Sequence, residues 1–397
     1  MRILHVIASL APESGGPAKA CFEMARAVAR RGHRVAIFAT DHGGPAGEAG
    51  GRSVRDGVEI RAFPRQFPKF FATSWPLAQA LLAEVGGVDV VHLHSLYRFH
   101  DWAAARACRR HGVPYILRPH GTLDPYQFRQ HRLRKYVMEA LFQNSVTRRA
   151  AAIHYTAEDE MRISTPYALG APGAVVPLGL DLEEYRELPA KGSFRAAHPE
   201  VGARPIILFL GRLHRKKGLD VLARAFAQCV RSGTDAHLVV AGPDGGMAGP
   251  IRRILEGEGV ADRATLTGMV QGEEKLALLA DADLFVLPSW SENFGLAIAE
   301  ALVAGVPVLI SEHVNIWREI EAAGCGRVEP VDAARVAAGM AEMLREPATL
   351  RAMGERGKRL IAERFVWPRI GAALEQLYAS VAERRFSGLM LSAAARR

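Results

Sequence analysis

Short apolar runs alternate with helical periods along almost the whole chain, and this alternation restricts the fold more than any other feature. Such an order is typical of parallel sheets with crossover helices, so the sequence predicts an α/β fold. Strands are predicted at 3–8, 34–39, 88–93, 115–118, 151–155, 206–210, 236–241, 264–267, 284–287 and 306–310. The clearest helices are predicted at 17–31, 74–84, 102–111, 219–230, 349–365 and 370–384.

A polar stretch at 181–204 interrupts this alternation, and the pattern restarts after it. Its prolines and glycines predict a linker. A chain of 397 residues is also too long for one comfortable core. We therefore predict an N-terminal domain over 1–185, a C-terminal domain over 200–369, and a last segment, 370–397, that packs back on the first domain. Two doubly wound units joined in this way predict a ligand cleft between the domains.

The composition is that of a globular enzyme, with 49% hydrophobic and 23% charged residues. No apolar run is long enough to cross a bilayer, and the opening run 1–8 is predicted to be a strand and not a signal peptide. The cysteines have no paired spacing, so neither a zinc site nor a disulfide framework is indicated, and we expect a reducing cytoplasm. They are Cys21, Cys108, Cys229 and Cys325.

The formal net charge of +9 is compatible with nucleic acid, with an anionic membrane surface or with an anionic substrate. No recognition-helix or aromatic-basic sheet pattern supports nucleic acid, so we expect no such partner. The basic region 129–149 also carries an apolar stripe, which is the combination that lies on an anionic lipid surface. An ordinary core-facing helix with a solvated basic side is the alternative and carries slightly more weight. The stripe comprises Leu133, Tyr136, Val137, Leu141 and Phe142.

The segment 289–302 follows a predicted strand and carries two carboxylates among small apolar residues. It is predicted to open an amphipathic helix, whose N-terminus would suit a phosphate group. If Glu292 and Glu300 are both helical, they lie about two turns apart on one broad face. That separation spans a nucleotide sugar. The alternative is a solvated pair of surface glutamates, which fits less well with the small apolar neighbours.

A second candidate phosphate site follows the strand predicted at 206–210. Gly211 at the strand end is followed by Arg212 and, five residues later, by Lys217, before a helix begins. Arginine offers a planar fork and lysine a compact charge, so the pair suits a diphosphate that must leave. The spacing is not that of a Walker motif, so an ATPase is not predicted. The position at a strand end outweighs the alternative of a solvated basic turn.

In the first half, the turn after the first strand contains Gly15 and Gly16, which would let the backbone approach a ligand closely. A plain tight turn is the alternative. The dinucleotide pattern G-x-G-x-x-G is absent, so a nicotinamide dehydrogenase is poorly supported. His94 follows the third strand and His120 follows the fourth, at the strand ends where ligands bind. We expect a function for His120, whereas His94 stays open. Neither a metal-ligand spacing nor a serine-hydrolase elbow is present.

Taken together, these motifs resemble the retaining nucleotide-sugar glycosyltransferases of glycosyltransferase family 4, over the whole chain. The resemblance implies the GT-B fold, with two facing Rossmann-like domains and an interdomain cleft. One departure is Leu178, where the family commonly has asparagine. The motifs that carry the resemblance are the Gly15-Gly16 loop, Gly211-Arg212 with Lys217-Gly218, Glu292-Asn293-Phe294-Gly295 through Glu300, and Val176-Pro177-Leu178-Gly179-Leu180-Asp181.

The resemblance also implies roles for individual residues. Arg212 and Lys217 would hold the donor diphosphate, and Glu300 would bind the ribose. Glu292 would contact the donor sugar, and His120 would lie at the reacting centre. The other implied donor-binding positions are Gly15, Gly16, Asn293, Phe294, Gly295 and Leu296.

The implied reaction moves a sugar, with retained configuration, from a nucleotide diphosphate sugar to a hydroxyl of a glycan or a lipid-linked glycan. We expect mannose from GDP-mannose, although uracil nucleotides stay open. No cofactor or metal is expected, because Asp281-Ala282-Asp283 is predicted to be a cap and turn. The expected location is the cytoplasm, with the inner face of the plasma membrane as an open alternative. The rival functions are a nucleotide-sugar epimerase, which is the runner-up, and a non-catalytic nucleotide-sugar binding protein.

Overall fold

The computed structural model describes residues 1–11, 15–40, 51–128, 132–386 and 390–391. The chain divides into two compact units. The first comprises Met1–Gly179 together with the segment that begins at Trp367, and the second comprises Leu180–Val366. Arg129 and most of the basic tail after Phe386 lie outside the described residues.

The strands, in chain order, are β1 (Arg2–Ile7), β2 (Arg34–Thr40), β3 (Arg52–Arg55), β4 (Val58–Phe63), β5 (Val90–His94), β6 (Tyr115–Arg118), β7 (Ala152–Tyr155), β8 (Gly173–Val175), β9 (Ile206–Leu210), β10 (His237–Ala241), β11 (Ala264–Gly268), β12 (Leu284–Leu287), β13 (Val308–Ser311), β14 (Gly326–Glu329) and β15 (Met390–Leu391). The α-helices are α1 (Gly16–Ala29), α2 (Trp75–Glu84), α3 (Phe99–His111), α4 (Pro125–Phe128), α5 (Arg132–Met138), α6 (Asn144–Arg148), α7 (Glu158–Ser164), α8 (Ser193–Ala197), α9 (Leu219–Arg231), α10 (Ala248–Gly257), α11 (Gly272–Asp281), α12 (Leu296–Val303), α13 (Trp317–Ala323), α14 (Ala333–Leu344), α15 (Pro347–Arg364) and α16 (Trp367–Ala382).

The first unit is built on a sheet whose order, over the described residues, is β15-β8-β7-β6-β5-β1-β2-β4-β3. The strands pair in parallel except where β3 meets β4. Every residue of β5 and β6 is buried, which is the pattern of central strands covered on both faces. The chain moves outward from β1 through β2 and then returns to β5 on the other side of β1. The strand order therefore reverses between β1 and β5, and ligands of such sheets bind at the carboxyl ends on either side of the reversal.

The helix α16 completes the first unit by packing against α1. Glu375 on α16 accepts hydrogen bonds from Arg31 Nε and His33 Nε2, each over 2.7 Å. A Cβ atom on Gly371 would lie 3.1 Å from the carbonyl oxygen of Ala27, so the absence of a side chain allows the two helices to approach closely.

The second unit repeats the doubly wound plan with a sheet of order β11-β10-β9-β12-β13-β14 over the described residues. The strands pair in parallel, and β9, β10, β12 and β13 are wholly buried. From β9 the chain winds to β10 and β11, then crosses back to β12 on the other side of β9. The reversal in this unit therefore lies between β9 and β12.

The segment 181–204, which was expected to be a linker, is folded onto the second unit. It forms a 3₁₀ turn at Leu182–Tyr185 and the helix α8. The Asp281 carboxylate accepts hydrogen bonds from the backbone N–H groups of Gly192 and Arg195, and Asp283 accepts one from the N–H of Ile206 over 2.8 Å. Both aspartates therefore lie at the amino ends of β9 and β12, where they fasten this segment, consistent with the predicted cap and turn.

The strands β3, β4, β8, β14 and β15 were not predicted. They are short or lie toward a sheet edge, so their apolar signal is weak. Among the described helices, none combines the length and the hydropathy that a bilayer-spanning segment requires.

Candidate functional site

The loops that follow β9 and β12 meet at the carboxyl edge of the second sheet, beside its point of reversal. The Lys216 carbonyl oxygen accepts hydrogen bonds from the N–H of Trp290 over 2.8 Å and from the hydroxyl of Ser289 over 2.9 Å. The Ser311 hydroxyl at the end of β13 donates to the carbonyl oxygen of Ser289 over 2.5 Å. These bonds fix the two loops against each other, which fixes the side chains that they carry.

Gly218 makes this contact possible. It has a φ of +67°, and a Cβ atom on it would lie 1.9 Å from the carbonyl oxygen of Pro288. The loop after β9 can therefore reach the loop after β12 only because this position has no side chain.

We expect Gly218→Ala to destabilise the second unit by about 1–2 kcal/mol through its left-handed backbone and by roughly 1–3 kcal/mol more through the overlap with Pro288. Gly233→Ala is the matched control, because Gly233 has a φ of +95° and an added Cβ atom would meet nothing within 4 Å. Denaturant unfolding of both variants measures the difference. Equal destabilisation by the two substitutions would show that the close approach to Pro288 is unimportant.

The fixed loops bring Lys217 and Glu292 into an ion pair, with Lys217 Nζ donating to Glu292 Oε2. Both side chains are largely buried, with 17% and 12% of their surface exposed. Burial works to raise the pKa of Glu292, but the charges of Lys217 and Lys216 outweigh it and hold that pKa below its ordinary value. The carboxylate is therefore ionised and charge-paired at the sheet edge.

The structure corrects the expectation that Glu292 is helical. The helix α12 begins at Leu296, after Gly295 with a φ of +74°, and Glu292 lies in the preceding loop. There its backbone bridges to the loop after β13, donating to the carbonyl oxygen of His313 and accepting from the N–H of Asn315, each over 3.0 Å. The expected two-turn spacing of Glu292 and Glu300 on one helix face is therefore wrong, although Glu300 does lie in α12.

Two helix N-termini open at this edge. The helices α9 and α12 begin after Gly218 and Gly295, and these N-cap glycines provide no side-chain cap to either first turn. Such first turns present backbone N–H groups and a partial positive charge to an anion. Phe294 is 2% exposed and packs its ring against Phe365, which anchors the loop just before Leu296. The side-chain oxygen of Asn293 is buried here without a hydrogen-bond partner among the described residues.

Glu300 forms a second charge pair with a lysine that the sequence did not single out. Lys275 Nζ on α11 lies 3.2 Å from Glu300 Oε1 and 3.2 Å from the hydroxyl oxygen of Tyr185. Burial raises the pKa of Tyr185, and the neighbouring Glu300 raises it further. Nothing in the local pattern identifies Lys275 or Tyr185, because both reach Glu300 from segments distant in the chain.

Arg212 packs against the loop that follows β10. Its side chain is exposed, and its aliphatic stem lies over Gly245 of that loop. The structure therefore places Lys217, Glu292 and the backbone of residues 293–296 together, with Arg212 on the β10 side of the same sheet edge.

In the first unit, the predicted residues lie on both sides of the reversal between β1 and β5. Gly15, with a φ of +70°, precedes α1, whose first turn has no side-chain cap, and Gly16 is exposed at its start. His94 ends β5, and His120 follows β6. His120 has a φ of +52°, which is uncommon for a residue with a side chain and is a conformation often found at functional sites.

His120 is tied to His94, whose function the sequence left open, and through His94 to His5, which no motif indicated. His94 Nδ1 lies 3.0 Å from His120 Nε2, and His94 Nε2 lies 3.0 Å from His5 Nδ1 on β1. Burial lowers the pKa of His120 well below its ordinary value, and the charge of Arg118 lowers it further. The imidazole is therefore neutral, and can act as a hydrogen-bond partner but not as a strong base.

Comparison with protein families identifies each unit. Residues 14–184 match the model of Glycosyltransferase Family 4, and residues 191–360 match the model of Glycosyl transferases group 1.

Curated relatives cover nearly the same length. The chain is 24% identical over 352 residues to GDP-mannose:cellobiosyl-diphosphopolyprenol alpha-mannosyltransferase of Xanthomonas oryzae, covering 87% of each chain. It is 27% identical over 386 residues to GDP-mannose-dependent alpha-(1-6)-phosphatidylinositol dimannoside mannosyltransferase of Mycobacterium tuberculosis, covering 94% of this chain and 95% of the relative. These relatives are transferases, so the epimerase alternative has no support.

Solved structures agree on the fold. Sucrose-phosphate synthase from Thermosynechococcus elongatus superposes with a TM-score of 0.76 at 21% identity, covering 96% of this chain and 98% of the other. Anabaena HepE in complex with UDP and glucose superposes with a TM-score of 0.77 at 18% identity, covering 96% and 100%. Both sheets thus follow the GT-B plan. With a family 4 domain followed by a group 1 domain, the chain belongs to the family 4 glycosyltransferases.

Proposed function

We propose that this glycosyltransferase moves mannose from GDP-mannose to a hydroxyl of a glycan or a lipid-linked glycan, with retention of configuration. The observation that carries the proposal is the buried Lys217–Glu292 pair beside the uncapped N-termini of α9 and α12. Cation, carboxylate and open N–H groups are together the chemistry that a diphosphate bonded to a sugar requires. The names of the relatives favour guanine and mannose.

In the proposed reaction, the bond between the anomeric carbon and the diphosphate breaks, and negative charge develops on the leaving group. Lys217 and the two helix N-termini stabilise that charge, and Arg212 adds its guanidinium group from the β10 side. Fixed cations can do this without a divalent metal, so we propose none. When the donor binds, its diphosphate replaces Glu292 as the partner of Lys217. Glu292 then accepts hydrogen bonds from hydroxyls of the donor sugar.

Glu300 holds the ribose hydroxyls in this proposal. Its partner Lys275 orients the carboxylate, and Lys275 donates in turn to the hydroxyl oxygen of Tyr185. A carboxylate fixed in this way accepts two adjacent hydroxyl hydrogens without first having to reorganise.

Retention follows from attack on the face that the leaving group vacates. The acceptor oxygen forms the new bond to the anomeric carbon, and its proton passes to the departing phosphate oxygen, which yields GDP. His120 contributes a hydrogen bond at the reacting sugar. A covalent glycosyl-enzyme is not part of the proposal.

The first unit carries features that favour a lipid-linked acceptor. Tyr136, Val137 and Leu141, which were slightly preferred as core-facing residues, are exposed by 70%, 48% and 76%. Beside them lies a cavity of about 650 Å³. Its lining includes Arg106, Arg109, Arg149, Arg384, Leu141 and Phe142. Basic and apolar groups side by side suit an anionic lipid, so we propose contact with the inner membrane face.

A donor panel tests the proposal. We expect GDP-mannose to raise the unfolding temperature more than UDP-glucose does at the same concentration, because the ligand that binds more tightly stabilises the folded state more. A ligand at about 100 times its Kd stabilises the folded state by about 2.7 kcal/mol. Glu300→Gln should weaken this shift. The purified protein should then release GDP only when a cellobiosyl-diphosphoprenyl lipid or a phosphatidylinositol mannoside is supplied, and NMR of the product should show the α configuration.

Each other outcome removes a defined part of the proposal. Preferential stabilisation by UDP-glucose would overturn the choice of donor. A β-linked product would overturn retention. An unchanged shift for Glu300→Gln would remove the ribose assignment, and conversion of the donor without any acceptor would indicate an epimerase.

A further inference from the structure

Five histidines and one tyrosine of the first unit form a continuous row of hydrogen-bonding groups, which we call the histidine row. The successive contacts are His154 Nδ1 to His92 Nε2 at 3.3 Å, His92 Nδ1 to Tyr378 Oη at 2.8 Å, Tyr378 Oη to His5 Nε2 at 3.4 Å, His5 Nδ1 to His94 Nε2 at 3.0 Å, and His94 Nδ1 to His120 Nε2 at 3.0 Å. All members except His120 are at most 1% exposed.

The sheet explains how these residues meet. His5 on β1 is the register partner of His92 on β5, and His94 lies two residues further on, so all three project from one face. Tyr378 on α16 reaches the same face from the last helix of the chain, where it lies between His92 and His5.

Every imidazole in the row is neutral. Burial lowers the pKa of His5 to about 3, and the charge of Arg118 lowers it further. The same two causes act on the other four, whose pKa values lie well below the ordinary value. A neutral imidazole has one N–H donor and one lone-pair acceptor, so each ring can donate at only one end.

One end of the row fixes its direction. His154 Nε2 lies 2.7 Å from the carbonyl oxygen of Val176, which can only accept, so the proton of His154 is on Nε2. His154 Nδ1 is then an acceptor. Arg118 Nη1, which can only donate, lies 2.9 Å from His154 Nε2 and 3.2 Å from His154 Nδ1. With the proton on Nε2 both neighbours are satisfied, because the carbonyl of Val176 accepts it and Arg118 donates to the lone pair on Nδ1. His92 must therefore present Nε2–H to His154.

The remaining protons follow in sequence. With its proton on Nε2, His92 accepts from the hydroxyl of Tyr378, and Tyr378 accepts from His5 Nε2–H. His94 then donates from Nε2 to His5 Nδ1, and His120 donates from Nε2 to His94 Nδ1. The opposite direction would make the lone pairs of His92 and His154 face each other.

We propose that the histidine row is a positioning device that holds His120 with its proton on Nε2, so that Nδ1 accepts a hydrogen bond from a substrate hydroxyl. No described residue hydrogen-bonds to His120 Nδ1. The inference rests on the proposed function for the identity of that hydroxyl, but not for the tautomers. No proton is transferred along the row. Its effect is that the Val176 carbonyl, at one end of the row, determines the tautomer of His120 at the other end.

Histidine tautomers can be observed directly by NMR. In the full chain labelled with ¹⁵N-histidine, at pH 7.5 and without ligand, we expect Nε2–H and a lone-pair Nδ1 for every histidine of the row. Protonated and lone-pair ring nitrogens have well-separated ¹⁵N shifts, and single histidine substitutions assign the signals. Observation of Nδ1–H on His120 or His94 in the unmodified protein would overturn the inference.

Tyr378→Phe removes the central hydroxyl while keeping the ring. It should leave His154 and His92 as they are, but allow both tautomers of His5, His94 and His120. We expect kcat/KM to fall roughly two- to tenfold, the effect of one hydrogen bond. A single unchanged tautomer of His120 in this variant would contradict the proposed long-range selection.

Tyr155→Phe is the matched control. Tyr155 is a tyrosine of β7 that is 1% exposed, and its hydroxyl has no hydrogen-bond partner among the described residues. It should change neither the tautomers nor the activity.

A metal ion is the competing use of these lone pairs. His5, Cys21 and His94 are all buried, and their ligand atoms lie within 4.8 Å of one another. Stoichiometric zinc that stays with the purified protein and is lost in Cys21→Ser would overturn the proposed role of the histidine row. If the tautomers are as expected but no donor nucleotide binds, the inference about the histidine row is supported and the proposed function is wrong.

Discussion

Lys217→Ala is expected to lower kcat/KM for the nucleotide-sugar donor about 10²–10³-fold, which is the usual effect of removing one preorganised group that stabilises developing negative charge. Lys217 lies just before α9 and is paired with Glu292, at the place where the diphosphate is proposed to leave. Steady-state kinetics with GDP-mannose measures the effect.

The same substitution should also destabilise the second unit, because it leaves the carboxylate of Glu292 buried without its partner. Breaking one side of a buried pair costs about 3–5 kcal/mol. The double variant Lys217→Ala/Glu292→Gln separates the two effects. It removes the stranded charge, so it should recover much of the stability and none of the activity.

Arg224→Ala provides the control for lost positive charge. Arg224 is exposed on α9, more than one helical turn along the chain from Lys217. Its substitution should leave both the kinetics and the stability unchanged. Full turnover in Lys217→Ala would end the assignment of this lysine to the diphosphate. A double variant that regained activity would mean that only folding had been impaired.

Acidification from pH 7 to pH 5 is expected to destabilise the first unit steeply. Burial, which is the main cause, and the charge of Arg118 lower the pKa of His5 to about 3 in the folded state, whereas an unfolded histidine titrates near pH 6.5. His92, His94 and His154 are shifted in the same direction. The unfolded chain therefore binds more protons than the folded chain at mildly acidic pH.

The sign follows from that difference in bound protons. The stability contribution of each histidine is fully present above pH 6.5 and is lost as the pH falls from 6.5 toward the folded pKa. Each buried histidine then contributes a slope of about 1.4 kcal/mol per pH unit. The buried carboxyl groups of Asp101 and Glu160, whose pKa values burial raises, offset part of the total.

Amide hydrogen exchange of peptides from β1 and β5, measured at several pH values, reports this loss for the first unit alone. His5→Gln keeps a hydrogen-bonding side chain that does not titrate, so it should reduce the slope by about 1.4 kcal/mol per pH unit. Tyr155→Phe should leave the slope unchanged. A flat profile between pH 7 and pH 5 would show that the histidines of the row titrate normally in the folded protein.

The organisation of the chain could be predicted because it depends on local patterns. The strand 115–118 was predicted with its observed bounds, as were 206–210 and 284–287, since these are central strands buried on both faces and read as continuous apolar runs. The weakly apolar β3 and β14 gave no comparable signal. The residues 181–204 looked like a linker because their contacts are with Asp281 and Asp283, far along the chain.

The site was predicted in part for the same reason. Lys217, Glu292 and His120 lie in the loops that follow strands, and the carboxyl ends of parallel strands share one edge of a sheet. The start of α12 was placed too early, because Gly295 sets the helix boundary through a left-handed backbone that composition alone does not reveal. Glu292 therefore faces Lys217 from a loop and not from a helix.

By itself, the sequence determined the two doubly wound units, the residues at their strand ends and the resemblance to family 4 glycosyltransferases. These properties are encoded in periodicity and in short motifs, over which neighbouring residues act on one another. Only the tertiary structure decided which charged groups pair and which hydrogen-bond partners the buried histidines have. Lys217 meets Glu292 across 75 residues, Lys275 meets Glu300 across 25, and Tyr378 meets His92 across 286. Such pairings arise because hydrogen bonds and charges act through space, so the sheet topology, and not the order of residues, brings their partners together.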